Sequence, residues 1–302
     1  MALRTNKILI FILKSSISAI SLYIIFSKTD IRHTFYILRN TNIFYFLAAI
    51  SLYILSQLAS SFRWKMLLPE RFRVRRLFSL YMIGAFFSTF LPGLIGGDVV
   101  KAYYLNKDAK KLSLTLASIF MDRYMGYLSL MIIGISALPF VSDYFGGSPY
   151  KWVMPLIFIA FVTGSFLFFG LKIGKRLSVI SEFYDYFSLL WTRKEIIIKT
   201  LLTSLVIQFL NFSKVIILAA GVGADIPLLL FFVFLPIIIT ITTLPISISG
   251  LGLREGSFVL LLGLIGIEPE LATSISIAWF LSIFVGSLPG LIVYILHKNK
   301  QE

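Results

Sequence analysis

Seven ionisable side chains stand in otherwise apolar surroundings: Asp98, Lys101, Asp122, Arg123, Lys214, Arg254 and Glu255. A charge at the centre of a helix in lipid costs about 2.5–3.5 kcal/mol on insertion scales, so these groups are expected to face one another or water. The bases suit an anion such as phosphate. Asp98, Asp122 and Glu255 suit charge balance at an empty site, or carriage of a coupling proton. The plainer alternative is a buried ion-pair network that only fixes helix register. Asp122 and Arg123 are adjacent, so they point about 100° apart on a helix and require different surroundings. Lys214 follows Gln208 and Asn211 at three-residue intervals, which puts all three on neighbouring parts of one helix face. Both histidines, His33 and His297, fall in polar connections, and there is no cysteine. A metal site, a cofactor and a histidine base at membrane depth are therefore not expected.

Two stretches could position the bases. Phe86 to Leu105 reads FFSTFLPGLIGGDVVKAYYL, and Thr242 to Phe258 reads TTLPISISGLGLREGSF. A constant shift of 153 residues superimposes Thr89 on Thr242, Pro92 on Pro245, Gly97 on Gly250 and Lys101 on Arg254. Proline removes a backbone donor, and glycine lets the chain turn and lets a ligand approach closely. Pro92, Gly96 and Gly97, and in the second stretch Pro245, Gly250 and Gly252, thus read as helix breaks. A half-helix begins after each. Its free amides and positive dipole end favour an anion, with Lys101 or Arg254 in or near the first turn. A tightly packed glycine kink with no ligand is the structural alternative.

Around these breaks the chain is 58% hydrophobic and only 14% charged, where a soluble domain carries about 25% charged residues. Full spans are expected near 7–27, 42–62, 113–139, 151–171, 200–221 and 272–296, with broken regions at 77–97 and 228–266. The net charge of +14 could suggest nucleic acid, but its placement argues for topology. Segments 1–7, 63–76, 101–111, 172–199 and 297–302 hold 20 of the 28 Lys and Arg, whereas connections 28–41, 140–151 and 222–227 hold four. That asymmetry puts both termini in the cytoplasm. Segments 63–76 and 172–199 interleave bases with aromatic residues and read as amphipathic surfaces at the interface, Arg63 and Trp64 among them. Residues 1–139 and 151–296 present the same order of spans and broken hairpin from opposite sides. The expected fold is therefore one all-α transmembrane domain over 1–302, with about six full spans and two re-entrant hairpins in an inverted repeat.

The blocks RWKMLL, FLPGLIGGDVVKAYYL, SIFMDRYMG and LPISISGLGLREGSF resemble those of the lysylphosphatidylglycerol synthase transmembrane region, also called flippase-like proteins, in order along nearly the whole chain. The resemblance implies a polytopic protein that moves lipids or lipid-linked saccharides between leaflets. It carries motif roles onto Arg63, Pro92, Gly96, Gly97, Asp98, Lys101, Asp122, Arg123, Pro245, Gly250, Gly252, Arg254 and Glu255. Lys101 departs from the arginine expected there and offers a point charge in place of a bidentate fork. The soluble aminoacyl-transferase domain of fused relatives does not follow the last span, so lysyl transfer is not expected.

The resulting expectation is a plasma-membrane lipid translocase, not an enzyme. Its partners are membrane lipids, either an anionic phospholipid or a polyprenyl phosphate, and a separately encoded glycosyltransferase is compatible with the reading. Lys101 and Arg254 would hold the lipid phosphate, with Arg123 or Lys214 assisting. A small-anion transporter fits an inverted repeat equally well, unless the site opens sideways to lipid. A membrane-embedded lipid-phosphate transferase would need a general base or a metal cluster, and only three carboxylates, on separate segments, are available at membrane depth.

Overall fold

A computed structural model describes residues 2–69, 72–90, 95–171, 178–244, 246–247 and 250–298. Its twelve α-helices among these are α1 (Ala2–Lys28), α2 (Ile31–Asn40), α3 (Ile43–Met66), α4 (Val74–Phe90), α5 (Ile95–Ala109), α6 (Leu112–Val141), α7 (Val153–Ser165), α8 (Ser178–Thr192), α9 (Lys194–Gly221), α10 (Leu228–Thr243), α11 (Leu253–Gly263) and α12 (Pro269–Lys298). A π turn, Phe166–Gly170, extends α7.

Five helical stretches are long and apolar enough to cross a membrane: Ile43–Met66, Leu112–Phe145, Pro149–Gly170, Lys194–Gly221 and Pro269–Leu296. They coincide with five of the six expected spans. The sixth, 7–27, lies within the 27-residue helix α1, of which Lys14–Ser27 is an apolar part. The protein is a multi-pass, all-helical membrane protein. Within 28–41, read only as a connection, α2 forms because Asp30 caps it: Asp30 Oδ1 accepts from the amides of Arg32 and His33 at 2.8 and 3.2 Å.

The two broken regions are pairs of short helices. At 1.5 Å per residue, α4 and α5 (17 and 15 residues) run about 25 and 22 Å, and α10 and α11 (16 and 11 residues) about 24 and 16 Å. Each is shorter than a hydrocarbon core of about 30 Å. The members of each pair pack on one another. Helix α10 is apolar on every face, and Leu230, Phe231, Phe234, Ile237 and Ile238 are buried in a core where α10 packs on α6, α9 and α11. An all-round apolar helix belongs at the centre of a bundle, and this one anchors the largest core.

The packing of the first six helices is repeated by the last six. Helix α4 packs on α12, and α10 on α6; α2 packs on α12, and α8 on α6; α3 packs on α12, and α9 on α6. Helices α3 and α9 pack on each other. Exchanging the halves returns most of the same contacts, the exceptions being α1–α11, α8–α9 and those of α7.

Candidate functional site: two linked charge clusters

Helices α3, α4, α5 and α6 bring five of the charged side chains into two adjoining clusters. Near the cytoplasmic end expected of α3, Arg63 points into the bundle. Its Nε donates to Asp122 Oδ1 at 2.8 Å and its Nη1 to Ser204 Oγ of α9 at 2.9 Å. The hydroxyl of Tyr81 donates to the other oxygen, Asp122 Oδ2. Both charges are buried. Gly126, one turn beyond Asp122, leaves room for the guanidinium: a Cβ there would meet Arg63 Nη1 at 3.0 Å. Arg63 and Trp64, expected at the interface, are buried between helices. A basic, aromatic helix end looks like an interfacial anchor until its partner, 59 residues away, is known.

Arg123, facing the other way from Asp122, meets Asp98 of α5. Nε donates to Oδ2 at 2.9 Å and Nη2 to Oδ1 at 3.0 Å, a bidentate pair. Lys101, one turn after Asp98, brings Nζ within 2.9 Å of Oδ1 as a close ion pair without hydrogen-bond geometry. Two bases therefore share one carboxylate. Their exposures differ widely: the side chain of Lys101 is 3% exposed, that of Asp98 17% and that of Arg123 50%. Lys101 Nζ lies 4.1 Å from the ring centre of Tyr81 and 5.2 Å from that of Trp64. Tyr81 thus joins the clusters, with its face to Lys101 and its hydroxyl to Asp122. Trp64 is fixed in turn by its Nε1 donating to Ser118 Oγ at 3.2 Å.

Three expected site residues lie elsewhere. Arg254 and Glu255 form their own buried pair: Arg254 Nη2 and Nε donate to Glu255 Oε1 at 2.5 and 3.1 Å, and Nε also to Ser276 Oγ at 3.0 Å. Glu255 Oε2 accepts the amide of Gly252 at 2.7 Å, capping α11. Lys101 and Arg254 thus each have a carboxylate and share no partner. Lys214 is buried apart from both, with Nζ donating to Asn211 Oδ1 at 3.2 Å.

The glycines have packing roles. A Cβ on Gly97 would fall onto the Gly84 carbonyl and Ser88 Oγ of α4, so Gly97 sets the approach of α5 to α4. Gly84 lets the Lys101 stem pass, since a Cβ there would meet its Cγ at 2.7 Å. Gly252 has φ +81°, and its added Cβ would lie 2.5 Å from Ser21 Cβ of α1. Gly96 lies in the first turn of α5, and Gly250 has φ +76°. Pro92 and Pro245 lie outside the described residues. Sequence reasoning missed Tyr81, Gly84, Ser204 and Ser276. Gly84, isolated within an apolar helix, carried the one usable signal.

The surroundings of Arg123 define how the site opens. Along α6, the exposed residues Leu112, Leu116 and Phe120 lie on the face that ends at Arg123. On α5, Val99 and Tyr103 are likewise exposed. Phe120 and Tyr124 continue into an aromatic cluster with Phe161, Phe168, Phe169 and Phe183. The accessible base therefore sits on an apolar outer flank.

A family model described as the lysylphosphatidylglycerol synthase TM region matches residues 11–290. No curated protein and no solved structure matches the chain.

Proposed function

Because the chain belongs to the lysylphosphatidylglycerol synthase transmembrane-region family, we propose that it moves an anionic phospholipid or polyprenyl-phosphate-linked lipid between leaflets of the plasma membrane. The observation that carries this reading is Arg123, half-exposed at membrane depth on a face otherwise formed by Leu112, Leu116 and Phe120. A phosphate can meet Arg123 there while its tails stay beside the apolar flank. A small anion has no use for that flank, which favours a lipid over it.

Lys101 supplies the second charge. The Asp98–Lys101–Arg123 cluster has one carboxylate for two bases, so its net positive charge attracts a phosphate. Arg63, Asp122 and Tyr81 fix the register of α6 and hence the direction of Arg123. Asp98 holds Arg123 while the site is empty and yields it to the ligand. No chemical step is assigned to these residues.

The two halves are read as an inverted repeat, with α4–α5 and α10–α11 as hairpins from opposite faces and both termini cytoplasmic. The exchange symmetry of the helix contacts supports this. So does the 153-residue shift, which carries the end of α4 at Phe90 onto the end of α10 at Thr243. Such repeats build a midplane site and alternate its exposure.

The test is transbilayer movement of acyl-labelled phosphatidylglycerol in reconstituted vesicles. Wild-type protein is expected to accelerate it, and Arg123→Gln to reduce the rate at least about tenfold, the loss of one charge-assisted contact. Acceleration of chloride or phosphate uptake with no movement of the lipid would overturn the reading.

A further inference from the structure

Lys214 lies in the second half of the molecule at a position that repeats Arg63. Arg63 is the twenty-first residue of α3, counted from Ile43, and Lys214 the twenty-first of α9, counted from Lys194. Asp122, the partner of Arg63, is the eleventh residue of α6, counted from Leu112. The eleventh residue of α12, counted from Pro269, is Trp279. Lys214 Nζ lies 5.8 Å from the centre of that indole and 5.1 Å from the ring centre of Tyr53 on α3. Base and facing residue thus recur in both halves, but the second has an indole where the first has a carboxylate.

The consequence is a base without an anion. Lys214 is 2% exposed, and none of the ion pairs among the described residues includes it. An ammonium has three donors, and the hydrogen bond to Asn211 Oδ1 uses one. Ring faces attract a cation but do not accept its remaining protons in ordinary hydrogen bonds. Trp279 Nε1 is itself buried with no acceptor. The unmet needs of the pocket are therefore all of one kind: buried N–H donors lacking an acceptor.

We propose that Lys214, Trp279, Asn211 and Tyr53 enclose a compact monovalent anion of the halide class, which replaces in the second half the carboxylate that Asp122 supplies in the first. Such an ion would take the free protons of Lys214 and the indole N–H together. Tyr53 and Trp279 are nearly as buried as the lysine, and Gly286 of α12 lies against the Tyr53 ring, where a Cβ would sit 2.5 Å from Cδ1. Surroundings this buried suit an ion more than a headgroup. The proposal concerns binding and stands whether or not the protein moves lipid.

The probe is bromide. Purified wild-type protein in detergent is expected to gain thermal stability as gluconate is replaced by bromide at constant ionic strength, because a ligand that binds only the folded state stabilises it. Asn211→Asp places a carboxylate where the amide oxygen already contacts Lys214. It should fold, with the bromide-dependent shift in Tm abolished. Lys214→Met should lose the shift too, and if it does not fold, Asn211→Asp decides alone. A wild-type Tm indifferent to bromide, or a shift retained in Asn211→Asp, overturns the proposal.

Discussion

Arg123 donates two hydrogen bonds to Asp98, at 2.9 and 3.0 Å, while half of its own side chain remains exposed. Asp98 also neutralises Lys101, which is buried. The two partners of the Arg123–Asp98 pair should therefore respond unequally to mutation. Arg123→Gln removes a partly exposed partner and should cost about 1 kcal/mol of stability, since Asp98 keeps Lys101. Asp98→Asn strands a buried ammonium and should cost about 3–5 kcal/mol. Thermal unfolding in detergent distinguishes them, and equal losses would mean that Arg123 is as structural as Lys101.

The Arg63–Asp122 pair is buried on both sides, and its geometry is complete with Tyr81 and Ser204. Breaking it from one side, by Arg63→Met or Asp122→Asn, is expected to cost about 3–5 kcal/mol. Arg63→Met combined with Asp122→Leu should recover most of that, because no charge is left alone. Tyr81→Phe removes only a hydrogen bond to a charged group and should cost about 1.5–3 kcal/mol. A double variant no more stable than the worse single one would show that the pair does more than fix register.

Much of this was legible in the sequence, and the parts that were not share a cause. Spans 42–62 and 200–221 emerge as α3 and α9 because an apolar run of the right length needs no knowledge of its neighbours. The expectation that Asp122 and Arg123 need different surroundings follows from helix geometry alone, and the structure gives them Arg63 and Asp98. What could not be read was partner choice across helices. Arg63 carries the signature of a topology signal, and only tertiary contact with Asp122 shows it to be buried. The glycines left two readings, ligand approach and a packed kink, that only tertiary contact separates. Gly97 reads as room for a ligand, yet the atoms that would occupy its Cβ position belong to α4.

Gly97 accordingly makes a structural prediction. Gly97→Ala would drive a methyl group into the Gly84 carbonyl and Ser88. Backbone cannot yield as a flexible side chain can, so a loss of about 1–3 kcal/mol is expected, with α5 displaced from α4. Gly164→Ala is the control, since nothing lies within 4 Å of its added Cβ. Equal melting temperatures for the two variants would mean that the α4–α5 approach is looser than described.

The proposed topology can be read by labelling, because the protein has no native cysteine. Ser148→Cys, in the connection between α6 and α7, is expected to react with an impermeant maleimide added outside intact cells. Lys110→Cys, between α5 and α6, should react only after permeabilisation. The reverse pattern would invert the assignment of both termini and undo the positive-inside argument.

Arg254 and Glu255 offer the sharpest separation of binding from scaffolding. Their positions after a helix break favour an anion, but the carboxylate of Glu255 already takes the Arg254 guanidinium, the Gly252 amide and Ser276. The pair is neutral and buried, whereas the Arg123 cluster is cationic and open. Arg254→Gln alone should therefore cost about 3–5 kcal/mol by leaving Glu255 buried without a base. Adding Glu255→Gln removes the orphaned charge and keeps an oxygen for the Gly252 amide, so most of the stability should return. If the pair is scaffolding, lipid movement in vesicles returns with it, and that is the expected result. A double variant that is stable but unable to move phosphatidylglycerol would instead place Arg254 on the path of the headgroup, alongside Arg123.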